Sequence, residues 1–425
     1  PKLTMKPHPF IKNHCLDSGK LWVDGEHIFL KTGKPLRDFG NVKQVDRLIA
    51  DLPIIASKGY NNLSLNCYWH HFNPSGDGQI ETDTAPLEKL IKAIKALDMY
   101  VSLSVETYGV GGGQIPEGFW EKNPTALAVN HLGEQVSDTE YGYGSKVPSL
   151  FSEDYLKSSR NFITNLVKTL GAENFLYFET TVEPQFMGAQ WLDYSQNAKH
   201  AYTEWIKRSN HLDAPIFPES LPADEAFMVA KEWNLFRAGA LANWINNDAL
   251  ALRKGAGDAA IWVASDYLDA EEDTMLQRCG NAVELLRNMT EIDIIQINWA
   301  WCNIERKPNH RAYDRVRQVM QDTGRDWVVT EHMTINGADY FESDMPGLLE
   351  NTLKNGTNFG WEFVDLAANR DSKETKPNDV LPGDFKPQHF AVYDADWNPN
   401  LAMRAVEDNW EHWMKKATAT SLSTT

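Results

Sequence analysis

Eight short apolar or aromatic runs, alternating with amphipathic helical patterns, set the tightest limit on what this chain can fold into. They are His27–Leu30 (an extension to Phe39 stays open), Asn61–Tyr68, Met99–Glu106, Asn174–Glu183, Ala259–Asp266, Asp293–Trp301, Asp326–Glu331 and Asn358–Asp365. Parallel strands need a crossover of about a dozen residues or more, so eight strand–helix units predict a (β/α)8 TIM barrel. A doubly wound open sheet is the rival. Its glycine-rich phosphate turn is not found: Gly109-Val-Gly-Gly-Gly has Gln114 in place of the third glycine and runs into Ile115-Pro116. Residues 1–414 read as one catalytic barrel and 415–425 as a polar tail. Two stretches break the rhythm, 107–150 as a loop over the barrel mouth and 184–258 as an elongated fourth crossover.

Several helix ends are legible. Thr84 is placed to cap a helix with Leu87, Leu90, Ile91, Ile94 and Leu97 on its apolar face. Ser152, followed by Glu153 and Asp154, opens another that Gly171 stops. Pro53 predicts a kink or break in the helix after the first strand. Cys279, Ala282, Val283 and Leu286 mark one further helix, and Leu401 to Trp413 the last.

Composition narrows the function. Lys and Arg number 41 against 59 Asp and Glu, a net charge of −18 that would repel a phosphate backbone, so nucleic acid is not an expected partner. No apolar run approaches the 18 or so residues of a membrane span. Four cysteines are too few and too scattered for a disulfide scaffold, and Cys67, Cys279 and Cys302 read as reduced, buried thiols.

In a barrel of this kind chemistry sits at the carboxyl ends of the strands. The fourth run ends in Thr181-Val182-Glu183-Pro184 and the seventh in Val329-Thr330-Glu331-His332, two carboxylates 148 residues apart in the chain. Such a pair suits glycoside hydrolysis, one carboxyl protonating the departing oxygen and the other attacking the anomeric carbon. Retention needs the two about 5–5.5 Å apart. Glu179 competes with Glu183. Alternation sets both on one face and puts Glu179 deeper in the barrel, where it could form a structural ion pair.

Glutamates ending strands four and seven of an eightfold barrel resemble the clan A retaining glycoside hydrolases over roughly residues 27–414. The resemblance implies Glu183 as acid/base and Glu331 as nucleophile. Gly360-Trp361-Glu362-Phe363 is similar to the clan's strand-eight Trp, the floor of the sugar subsite, and Val392-Tyr-Asp-Ala-Asp-Trp-Asn to the turn before its final helix. Glu232-Trp233, Phe236 and Trp244 with Leu252-Arg253-Lys254 resemble the family 42 β-galactosidases. The clan has Asn directly before the acid/base, whereas this chain has Val182. Either Glu183 is not the acid, or the sugar carries a modified 2-position, or another polar group supplies the contact. Algal galactan hydrolases are the analogy for an unusual sugar.

Fifteen Trp and 14 Tyr offer faces for stacking on a pyranose. The expected sugar-contacting set is Trp69, Trp299, Trp301 and Trp361, with Asn66, His70, Glu106, Asp266, Asn298, Asn303 and His332 for hydroxyls and Arg37 for a carboxylate or sulfate. No metal or cofactor is expected: His70-His71 on a regular strand would point to opposite faces, and Asp394-x-Asp396-x-Asn398 has Pro399 where a calcium loop needs Gly. The expected activity is retaining hydrolysis of a β-linked, galactose-containing oligo- or polysaccharide outside the cell, by an exported protein. A non-catalytic carbohydrate-binding barrel and a metal-dependent hydrolase are the alternatives.

Overall fold

The computed structural model describes residues 5–108, 114–136, 146–186, 190–209, 228–298, 301–302, 307–308, 310–333, 345–364, 366–367 and 391–419. Eight parallel strands close into a barrel: β1 (Leu30–Lys34), β2 (Asn62–Tyr68), β3 (Tyr100–Glu106), β4 (Phe178–Glu179), β5 (Val263–Leu268), β6 (Ile294–Asn298), β7 (Val328–Met333) and β8 (Gly360–Val364). Closure pairs β8 with β1, Glu362 opposite Thr32 and Val364 opposite Lys34. The two strands approach so closely at Gly360 that a Cβ there would lie 2.5 Å from the Leu30 carbonyl oxygen.

The first strand is a correction. His27 and Ile28 do not belong to the barrel but to a four-stranded antiparallel sheet over Lys6–Pro7, His14–Asp17, Lys20–Val23 and Glu26–Ile28. Tight turns join its last three strands, with Ser18-Gly19 at φ 52° and 76° and Asp24-Gly25 at φ 50° and 83°. Leu16 and Leu21 from this sheet pack with Leu30, Trp262, Ile294, Val328 and Phe359, so the sheet plugs the amino-terminal end of the barrel.

The crossover helices form the outer layer: α1 (Val42–Ser57), α2 (Ala85–Lys95), α3 (Glu153–Leu170), α4 (Lys231–Gly255), α5 (Ala282–Asn288), α6 (His310–Thr323), α7 (Met345–Lys354) and α8 (Leu401–Ala419). Asn41 caps α1, and Ser152 Oγ accepts the Tyr155 N–H at the start of α3. Pro53 does not interrupt α1, because Val45, Leu48, Leu52 and Ile55 bury one face against the barrel on both sides of it. Thr84 makes no side-chain cap; its hydroxyl bonds Glu88 instead, and α2 stops at Lys95, leaving Leu97 outside the apolar face. The segment around Cys279 is two helices, not one, since Gly280 turns at φ 83° and Asn281 caps the second. The elongated fourth crossover carries a helix at Gln196–Arg208 before the 25-residue α4. The final helix continues to Ala419, into the segment expected to be a tail. Cys67 and Cys279 are buried free thiols. Among the described residues no helix is long and apolar enough to cross a membrane.

Candidate active site

Barrel interiors of this class are filled by layers of side chains, as a rule branched and apolar. Here the layers above the plug are polar. Asn62 Nδ2 donates to Thr32 Oγ1 (2.9 Å) and Ser102 Oγ (3.2 Å). One layer higher Lys34 Nζ lies 2.6 Å from Glu179 Oε2 and 3.0 Å from Glu362 Oε1, all three fully sealed from solvent. Ser64 Oγ donates to Glu179 Oε2 (3.1 Å), and Gln296 Nε2 donates to both Glu179 Oε1 (2.7 Å) and Glu362 Oε2 (3.2 Å). Burial opposes ionisation of Glu179, but Lys34 and the hydrogen bonds from Glu362, Lys34 and Gln296 outweigh it and bring its pKa down to about 2. Burial likewise opposes the charge on Lys34, yet Glu179, Glu362 and Glu106 hold the ammonium protonated well above its ordinary range. Glu179 is therefore the deep, ion-paired carboxylate that alternation along the strand suggested.

The layer at the mouth is built differently. Glu106 ends β3, and burial pushes its carboxyl up to about 7 against the opposing pull of Lys34 and the hydrogen bonds it accepts. Those come from Ser104 Oγ (2.7 Å) and the Val182 N–H (3.2 Å). Glu183 follows β4 and is half-buried, with its backbone in the left-handed region at φ 52°. A non-glycine residue holds that conformation at a cost of order 1–3 kcal/mol, and such outliers concentrate at functional sites. Its N–H donates to Asp266 Oδ2 (3.1 Å), and Asn298 Nδ2 donates to its Oε1 (3.1 Å) and, at 3.4 Å, to Asp266 Oδ2. Side chains from three strands, β3, β5 and β6, thus converge on Val182 and Glu183. Asn66 Oδ1, on the neighbouring β2, is buried with no hydrogen-bond partner among the described residues, a group suited to a ligand hydroxyl.

Glu331 and His332 lie in β7. Glu331 pairs in backbone register with Ile297 and Trp361, His332 with Asn298 and Glu362. Their side chains, that of Trp301, and Trp299 and Asn303 altogether lie outside the described residues.

Several of the other expected sugar contacts have partners within the protein. Trp361 is fully buried on the outer face of β8, edge-on to Phe29, Trp410 and Trp413, with Nε1 donating to Thr352 Oγ1 (2.9 Å). It fills the barrel–helix interface and is not a platform. Trp69 is likewise core, against Phe119, Tyr155 and Phe162, its Nε1 on Asn73 Oδ1 (2.9 Å). Both Glu106 oxygens accept a hydrogen bond within the protein, which makes it a support for the Val182 peptide. Arg37 donates to the carbonyls of Leu36 and Ala367, both at 2.8 Å, bracing the chain beyond β1 and β8. His70 and His71 occupy a helical turn, Trp69–Phe72, not a strand; their rings lie 4.1 Å apart, and His71 Nδ1 is 3.4 Å from Asp38. Asp394 Oδ1 accepts the N–H groups of Asp396 and Asn398, closing the loop as a polar turn. Among the described residues no three His, Cys, Asp or Glu side chains converge as a metal-binding group.

No family model and no curated relative matches this sequence. Solved structures do match. A β-galactosidase from Marinomonas ef1 superposes with a TM-score of 0.67 at 13% identity, over 93% of this chain and 61% of its own. The fold is the barrel of such enzymes. A GH42 β-galactosidase from G. stearothermophilus gives 0.66 at 14% identity, over 92% and 57%. The catalytic domain of a β-amylase from Paenibacillus polymyxa gives 0.63 at 11%, over 89% of this chain and 97% of its own. The chain thus spans about three-fifths of the β-galactosidases it matches, and at these identities the likeness concerns architecture.

Proposed function

We propose that this protein is a retaining glycoside hydrolase acting on a β-linked, galactose-containing oligo- or polysaccharide. The observation that carries the reading is Glu183. It is a half-exposed carboxyl at the exit of the fourth strand, held in a strained backbone conformation and hydrogen-bonded by Asn298. Glu183 donates a proton to the leaving oxygen while Glu331 attacks the anomeric carbon to form a glycosyl ester, a role that requires β7 to turn after Thr330, because Ile297 and Trp361, the register partners of Glu331, lie in the row that faces the helices. Glu183 then takes a proton from water, whose oxygen displaces Glu331. Asn298 stands beside the acid, where it is placed to supply the polar contact that Val182 cannot make. The β-galactosidases among the similar structures support galactose, and the unusual residue before the acid supports a modified sugar. The substrate's size favours an exported protein.

The test is a panel of β-galactans, neutral and sulfated, with sizing of the products. Glu331→Ala is expected to abolish turnover, and full activity in that folded variant would end the assignment. Glu183→Ala is expected to keep hydrolysis of aryl glycosides whose leaving groups need no protonation. Val182 also favours a second reading, a barrel that binds carbohydrate without cleaving it. Tight calorimetric binding with no product after long incubation would establish that reading instead.

A further inference from the structure

Strand β4 leaves the sheet early. The Thr180 N–H still reaches the Ala264 carbonyl at 3.0 Å, as in a regular ladder. Two residues on, the ladder pattern changes. The Val182 N–H is received by Glu106 Oε2 from the end of β3, and the Glu183 N–H by Asp266 Oδ2 from the end of β5. Side-chain carboxylates on the two flanking strands stand where neighbouring strands would have offered carbonyls. Consecutive amides are pulled to opposite sides, and the residue between them and Pro184 turns left-handed. Asp266 also accepts from Asn298, whose amide holds the Glu183 carboxyl, so one carboxylate controls both ends of the same residue.

We infer that Asp266 and Glu106 are positioning residues: acting from both sides, they hold the strained turn at Glu183 and with it the direction of its carboxyl. This rests on Glu183 being the proton donor. Carboxyl groups suit the task, because each offers two oxygens and can accept an N–H whether or not it carries a proton.

Crystal structures of the unmodified protein and of Asp266→Ala and Asp266→Asn test the geometry without any substrate. In Asp266→Ala, Glu183 is expected to leave the left-handed region and lose the Asn298 contact; in Asp266→Asn, which keeps an acceptor oxygen, both should persist. Unchanged φ and contact in Asp266→Ala overturn the inference. Kinetics with phenyl and 2,4-dinitrophenyl β-D-galactoside test the consequence. Asp266→Ala should slow the phenyl substrate at least about ten-fold more than the dinitrophenyl one, since only the former needs the acid. It should add nothing in a Glu183→Ala background, and Asp266→Asn should recover most of the loss. Equal slowing of both substrates by Asp266→Ala, while Glu183→Ala discriminates between them, overturns the inference and spares the acid assignment. A Glu183→Ala that does not discriminate removes the acid assignment itself, and the crystal structures then report separately on the clamp. Should Asp266→Ala not fold, Asn298→Ala cuts only the link to the carboxyl and carries the same leaving-group expectation.

Discussion

Glu179 and Glu183 stand four residues apart at the exit of one strand, and the protein treats them in opposite ways. Glu179 is sealed, paired with Lys34 at 2.6 Å and held by Ser64 and Gln296, so its charge is part of the barrel's construction. Glu183 is half-exposed, its carboxyl held by the neutral amide of Asn298 and its backbone by Asp266. A carboxyl clamped by a cation loses its use as an acid, because it holds no proton at ordinary pH. The same side chain thus becomes scaffold or, on the proposed reading, reagent according to what the neighbouring strands present.

Breaking the deep site should have the largest effect. Lys34→Met strands Glu179 and Glu362 without their cation and should cost about 3–5 kcal/mol in urea unfolding. A loss under about 1 kcal/mol would show that the carboxyls share protons readily without Lys34. Glu183→Gln should do the reverse, changing stability by no more than about 0.5 kcal/mol while slowing substrates with poor leaving groups about 10²–10⁴-fold. If it destabilises as much as Lys34→Met, the division between scaffold and reagent collapses.

Glu106 lies between the two regimes and sharpens the contrast through pH. Its carboxyl, raised from 4.5 to about 7, keeps a proton in the folded chain that the unfolded chain releases. Stability present below about pH 4.5 is therefore lost as pH climbs to about 7, by up to roughly 3 kcal/mol. Glu106→Gln should flatten that decline in unfolding curves taken on either side of the window; a parallel decline in the variant would remove Glu106 as its source. The smallest effect is expected outside the barrel. Trp361→Phe should lose about 1–3 kcal/mol with its Thr352 hydrogen bond and helix contacts, and leave kcat and KM unchanged. A rise in KM would return Trp361 to the sugar site.

Much of the architecture was readable from residue patterns. Alternating apolar runs and helical faces specify eight strand–helix units, Ser152 announces its helix, and two-residue periodicity puts Glu179 beneath Glu183. The amino-terminal plug has a local signal too, since Ser18-Gly19 and Asp24-Gly25 are residue pairs that suit two-residue hairpin turns. The candidate site was legible only as residues gathered at strand ends. Trp361 and Glu362 are neighbours in a strand buried on both faces, so hydropathy is silent on which of them looks inward. Register decides it, since closure of β8 onto β1 sets Glu362 beside Thr32 and turns Trp361 toward the helices. The support of Glu183 was beyond reach for a related reason. Glu106, Asp266 and Asn298 come from three strands whose convergence exists only once the barrel closes. Local periodicity determines which segments become strands and helices, because it depends on neighbours in the chain. Which carboxylate meets a cation, an amide or a backbone N–H depends on neighbours in space, and that only the closed barrel decides.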